Sequence, residues 1–190
     1  MTAVTSRHFT LAEYHRLGEL GFFGADERVE LIRGEIIQMP TKKTPHSVCN
    51  TRLIRQLILL LGEQAIARGQ EPIILPADSE PQPDAVIARY RSDDYLSSHP
   101  QPADILLVIE ISDSTLNYDQ QTKLSLYAED GIADYWIFNL VENHLETYCE
   151  PYQDTQGKFN YRSKRIFLPN EVVTLPNFPE LSLDLADVFP

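Results

Sequence analysis

The chain has 190 residues, 43% of them hydrophobic and 23% charged, with a formal net charge of −12 at pH 7. That length is enough for one domain with a sizeable core, here taken as residues 1–190, and the composition excludes disordered and fibrous classes. The acidic balance argues against general electrostatic adhesion to nucleic acid, but it is uneven: residues 1–70 hold nine Lys/Arg and seven Asp/Glu, residues 71–190 seven and twenty-one. A DNA-facing surface would therefore draw on the first third, where Arg52, Arg55 and Arg68 are expected on one helix, although arginines scattered on a helix more often mark a solvated face. The longest aliphatic run, Leu57 to Leu61, is too short for a membrane span, and Met1 to Arg7 has no signal-peptide core. Cys49 and Cys149 lie far apart and form no ligand pair, so a cytoplasmic protein with free thiols is expected.

Thr10-Leu11-Ala12-Glu13 is a capping box and opens a short helix to about Leu20. Arg28 to Met39 reads as a hairpin that turns at Arg33-Gly34. Thr44-Pro45 supplies an N-cap and first helical residue. The helix that follows places Val48, Leu53, Leu57, Leu60, Leu61 and Ile66 near one stripe, with Gly69 as its stop. The prolines from Pro72 to Pro83 leave room for a short edge strand, Ile73 to Leu75, and an extended loop. A strand follows Asp84, and a polar loop leads to a second strand, Ile105 to Ile111, where alternation puts Val108, Glu110 and Ser112 on one face. Asn117 or Asp119 caps a helix to about Asp130 that stops at Gly131. Tyr135 to Leu140 is a strand, Glu142-Asn143-His144 turns it into Leu145 to Cys149, and Gln156-Gly157 turns into Tyr161 to Phe167. Pro176 to Pro190 reads as a covering tail that ends in a helical turn. Helices before and after a mixed sheet make the class α/β or α+β.

Two carboxylates sit awkwardly in this pattern. Asp84 precedes the apolar run Ala85 to Ala88, and Glu110 interrupts the run that starts at Ile105. Burying an unpaired charge is costly, so each needs a partner. Mg²⁺ or Mn²⁺ would suit them: both ions take oxygen ligands, one or two carboxylates with water and phosphate, and the backbone carbonyl of Ile111 could add an oxygen. Lys123, thirteen residues after Glu110, would reach back from the next helix to orient water or stabilise an oxyanion. Each residue also has a structural explanation: a turn carboxylate at Asp84, a salt bridge between Glu110 and Lys123. Singly those are stronger; together the three residues are harder to assign to coincidence. Glu30 is preferred to Glu35 as an additional acid, with a surface hairpin carboxylate as the alternative. His46 in the first turn of the long helix could support the site, though an ordinary helix-start histidine is the simpler assignment, and Tyr127 could pack on the Lys123 stem. His8, His15, His99 and His144 have no ligand spacing and are expected at the surface.

The chain resembles the Uma-two family of restriction-endonuclease-like proteins, within the PD-(D/E)xK nuclease superfamily. The resemblance rests on Phe9 to Tyr14, Val29 to Ile36, His46, Ser79-Glu80-Pro81-Gln82-Pro83-Asp84, Val108 to Ser112, Lys123 to Ala128, Gly131-Ile132 and Asp134 to Ile137, in that order. It implies a restriction-endonuclease-like core, a mixed sheet with helices on both sides. It implies Asp84 and Glu110 as metal ligands, Glu30 as a further acid, a Mg²⁺ or Mn²⁺ cofactor, DNA as substrate and a homodimer. The superfamily pattern has a lysine two residues after the second acid; Ser112 stands there, and Lys123 looks like its replacement. The segment between the long helix and Pro81 looks abbreviated, with only Glu71 to Ala77 left for a strand. A silent nuclease-fold binding or assembly module, or a hydrolase of RNA or small phosphate esters, are the competing possibilities.

Overall fold

The computed structural model describes residues 6–24 and 26–190. Helix α1, Leu11–Glu19, starts at Thr10, whose hydroxyl accepts from the Glu13 amide while the Glu13 side chain accepts from the Thr10 amide. Strands β1, Val29–Ile32, and β2, Glu35–Gln38, form a separate hairpin. Its turn residues Arg33 and Gly34 both have positive φ, 50° and 77°, which matches the twist of the flanking strands. Gly34 is required there, since an added Cβ would lie 2.5 Å from the His8 Cβ.

Helix α2 runs Thr44–Leu61, with Lys43 in the N-cap position; Thr44 and Pro45 therefore sit inside the first turn, one place later than the sequence suggests. Gly62, with φ 52°, ends it. The expected continuation through Ile66 is overturned: Ala65–Gly69 is strand β3, which takes Arg68 off the helix. The segment Ile73 to Leu75, expected as the edge strand, makes only an isolated bridge from Leu75 to Ser79. The segment between the long helix and Pro81, which looks abbreviated when α2 is extended through Ile66, thus holds a full strand, β3.

Six strands form the central mixed sheet in the order β3-β4-β5-β6-β7-β8. Strand β4 is Ala85–Arg89, β5 Ile105–Ser112, β6 Asp134–Asn139, β7 His144–Gln153 and β8 Phe159–Phe167. All neighbours are antiparallel except β5 and β6, which need a crossover. That crossover is helical: α3, Leu116–Tyr118, a π-helical turn at Asp119–Lys123, and α4, Leu124–Glu129. Asp119, considered as an N-cap, instead lies inside this run. Gly131, with φ 71°, follows its end. The tail, Pro176 to Pro190, holds a strand as well as its expected final turn: β10, Phe178–Asp184, pairs with β9, Val172–Leu175, just before it, and a 3₁₀ turn follows at Leu185–Asp187.

The sheet has a core on each face. On one, Leu53, Leu57 and Leu61 of α2 meet Ile87, Leu107, Ile109 and Phe138, with Leu175 and Leu183 of the terminal hairpin closing the layer. On the other, Leu124, Leu126 and Tyr127 meet Val86, Val108, Tyr135 and Ile137. A central mixed sheet flanked by helices is the architecture read from the sequence. Truncating a fully buried leucine such as Leu57 would cost about 2–5 kcal/mol. Among the described residues no helix is long and apolar enough to cross a membrane.

Candidate functional site

Asp84 lies one residue before β4, next to the Ala85–Ile109 pair, so the antiparallel register sets it beside Glu110. The Asp84 amide points at Glu110 Oε2, 3.4 Å away. Both side chains are buried. Glu110 shares its sheet face with Val108 and Ser112, the alternation read from the sequence, and this face lies under the crossover helices. Glu30 arrives from β1, because the Glu80 amide bonds to the Leu31 carbonyl and ties that hairpin to the Pro81 to Pro83 segment. Glu35, on the other arm, is exposed.

Lys123 closes the cluster from the π-helical turn and is 1% exposed. Its Nζ donates to Glu110 Oε1 at 2.9 Å and to Glu30 Oε1 at 3.1 Å. The widened turn also lets the Tyr135 hydroxyl reach the Asp119 carbonyl at 3.2 Å, alongside the bond that carbonyl takes from the Leu124 amide. Tyr127, one helical turn beyond Lys123, donates its hydroxyl to Glu110 Oε1 at 2.8 Å. The structure therefore brings Asp84, Glu110, Lys123, Glu30 and Tyr127 together. His46 joins them from the first turn of α2: its Nε2 lies 2.9 Å from Asp84 Oδ2, which also accepts from the Ile111 amide at 3.0 Å.

Three participants were not singled out from the sequence. Lys42, in the loop before α2, donates to Asp84 Oδ1 at 2.9 Å. Gln82 donates its amide to Glu30 Oε1 at 3.1 Å. The Asp119 carboxylate accepts from Ser112 at 2.7 Å and Thr115 at 2.6 Å, beneath Lys123. Asp119 could have been found from its place one turn before Lys123; Lys42 carries no spacing signal. These groups line a narrow cleft of about 40 Å³ that also takes in Arg28, Thr41, Asp113 and Ser114.

The electrostatics divide the carboxylates. Burial would raise Asp84, but His46 and Lys42 outweigh it and hold the carboxyl at about 2. Burial lifts Glu110 to about 8; Lys123 opposes this, while Asp119, Asp84 and Glu30 reinforce it. Burial pulls Lys123 down, but the acids around it win and keep the ammonium charged. One lysine therefore serves several acids, and the region keeps more acceptor capacity than its donors fill. Among the described residues His46 Nδ1 is buried without a hydrogen-bond partner, and Glu30 Oε2 has only the Lys123 ammonium, 3.1 Å away.

A second polar cluster lies two strands away. Glu110 pairs with Ile137 and Ile137 with Glu146, so the two glutamates share a row of one face. His144, expected at the surface, is buried there, its Nε2 3.0 Å from Glu146 Oε1. Glu142, His144 and Glu146 present ligand-type atoms close together. Glu146 is already served by Gln120, Asn139, Tyr148 and His144, and Lys164 lies 2.9 Å from Oε2. Those donors and that ammonium occupy the space a cation would need, which makes the cluster structural.

A family model, Uma2, described as "Putative restriction endonuclease", matches residues 11–186. The chain belongs to the Uma2 family. Among solved structures, this Uma2 chain is similar to a crystal structure described as a putative nuclease belonging to DUF820 from Anabaena variabilis ATCC 29413. The TM-score is 0.69 at 19% identity, over 95% of this chain and 97% of that one. At that identity the likeness establishes the fold that the Uma2 chain shares. No curated protein matches.

Proposed function

We propose that the protein is a Mg²⁺- or Mn²⁺-dependent endonuclease that hydrolyses DNA phosphodiester bonds. The observation that carries this is the adjacency of Asp84 and Glu110 at the floor of a cleft, with the Lys123 ammonium 2.9 Å from Glu110. Membership of the Uma2 family supports it. The donor set suits a hard divalent cation: Asp84 and Glu110 would hold it, with the Ile111 carbonyl as a further oxygen, and Glu30, which shares Lys123 with Glu110, adds a third acid nearby. When bound, such a cation lowers the pKa of a water and offsets charge that grows on the phosphorus oxygens.

The chain's own groups do the positioning. His46 and the Ile111 amide fix Asp84 through Oδ2, which fixes the orientation of Oδ1. Tyr127 and Lys123 fix Glu110 through Oε1, leaving Oε2 toward Asp84. Glu30 and Asp119 keep Lys123 charged, so its ammonium can orient the attacking water or stabilise the oxyanion. The test is cleavage of supercoiled plasmid with Mg²⁺ or Mn²⁺ by wild type, Asp84→Ala and Lys123→Ala. Wild type should nick or linearise the plasmid, and both variants should lose at least about a hundredfold. Equal residual cleavage in all three would sink the proposal. Parallel arms with single-stranded RNA and a nitrophenyl phosphodiester decide between substrates.

One observation favours a catalytically silent binding module instead: Lys42 and Lys123 already set an ammonium against each of Asp84 and Glu110. That alternative predicts no thermal shift with Mn²⁺; the nuclease proposal predicts several degrees of stabilisation. Homodimerisation, which duplex cleavage with two sites would use, predicts a dimer mass by light scattering.

A further inference from the structure

Lys42 and Lys123 each place an ammonium on a carboxylate proposed to hold the cation, and of the two Lys42 stands on the freer oxygen. It belongs to the loop between β2 and α2, and its side chain is 19% exposed, against 1% for Lys123. Asp84 divides its partners unequally. Oδ2 is held by two groups from the rigid core, His46 at 2.9 Å and the Ile111 amide at 3.0 Å. Among the described residues Oδ1 is held by Lys42 alone, at 2.9 Å. Oδ1 is therefore the oxygen left for a cation, and Lys42 stands on it.

We infer that Lys42 is an exchangeable cation: it caps Asp84 Oδ1 while the site is empty, and turns to a phosphate oxygen of the bound nucleic acid once a divalent cation takes that carboxylate oxygen. This rests on the metal-dependent phosphodiester hydrolysis proposed above. The physical basis is charge. An ammonium and a divalent cation on one carboxylate oxygen repel strongly in a buried site, so one must leave. Lys42 can leave and Lys123 cannot. Lys42 hangs from a loop by four rotatable carbons at the mouth of the cleft, beside Thr41 and Lys43, whereas Lys123 is enclosed by Glu30, Glu110 and Asp119. The released ammonium would face a cleft whose other mouth groups include Arg28 and Lys43. Lys43 is itself held 3.0 Å from Asp113. A phosphodiester brought there carries the negative charge that Lys42 gives up at Asp84. In this account Lys42 contacts substrate, and the cost of moving it lowers metal affinity until substrate arrives, which couples the two binding events.

The experiment measures Mn²⁺ binding by calorimetry and oligonucleotide cleavage kinetics for wild type, Lys42→Met and Lys42→Arg. Lys42→Met should bind Mn²⁺ about tenfold more tightly than wild type in the absence of DNA, because the competing ammonium is gone. It should show a KM about tenfold higher with kcat changed less, while Lys42→Arg stays near wild type in both. Unchanged or weaker Mn²⁺ binding by Lys42→Met, in a wild type that binds Mn²⁺ and cleaves, overturns the Lys42 inference alone. A wild type that neither binds Mn²⁺ nor cleaves overturns the nuclease proposal and this inference together. A crystal soaked in Mn²⁺ gives a readout independent of any variant: Lys42 Nζ should have left Asp84 Oδ1, and finding it still within hydrogen-bond distance beside the metal overturns the exchange.

Discussion

Two acid clusters lie on the same face of one sheet, and they differ in how completely they are satisfied. Around Asp84, Glu110 and Glu30 the donors fall short: Glu30 and Glu110 share the one ammonium of Lys123, 3.1 Å from Glu30 Oε2 and 2.9 Å from Glu110 Oε1, Glu110 is pushed up to about 8, and the groups front on a cleft. Around Glu146 the donors are in excess, and the carboxyl is pushed the other way, to about 2. Burial would raise Glu146, yet bonds from Tyr148, Lys164, His144 and Asn139 overcome it. Two clusters of buried carboxylates on one sheet face thus carry opposite meanings. Burial of acid does not by itself mark a site; a surplus of acid over cation that opens on a cavity does.

The largest expected effect that breaks this comparison is in catalysis: Asp84→Ala should lose at least about a hundredfold of plasmid cleavage, whereas Glu146→Gln should keep activity within a few-fold. If the two variants lose alike, the division between the clusters is wrong. Next comes stability. Lys123→Met leaves Glu30 and Glu110 buried without their cation and should cost about 3–5 kcal/mol in urea unfolding. Lys164→Met, whose side chain is 43% exposed, should cost under about 1 kcal/mol.

The pH dependence sharpens the contrast further. Glu146 has a folded value near 2, below its ordinary 4.5, so it stabilises the fold above about pH 4.5 and that contribution is lost as pH falls toward 2. Glu146→Gln should flatten the acid limb of a stability-against-pH curve over that window; an unchanged limb would remove Glu146 from its causes. The smallest effect is at Glu142, which is exposed and 3.7 Å from His144: Glu142→Gln should shift the melting temperature by no more than about 1–2 °C.

Much of this was legible in the sequence because the acids interrupt strong patterns. Glu110 stands in a run of aliphatic residues, and Asp84 stands directly before one, so their depth could be read, and the fold does bring them to Lys123. The capping box at Thr10 and the Arg33-Gly34 turn were equally plain, since each depends on local backbone chemistry. Strand β3 was not. Ile66 extends the apolar stripe of α2, and the alanines Ala65 and Ala67 carry no β-branched signal, so only the positive φ of Gly62 separates helix from strand. His144 was misjudged because its burial depends on a partner, Glu146, that sits across the sheet face from the known motifs. Lys42 was invisible for the same reason: its role comes from where a loop ends in space, which spacing along the chain does not encode.

The most direct test is calorimetric titration of Mn²⁺ into wild type, Asp84→Asn and Glu146→Gln. The account predicts one site in wild type, its loss in Asp84→Asn and its retention in Glu146→Gln. Retained binding in Asp84→Asn, or loss confined to Glu146→Gln, would contradict it.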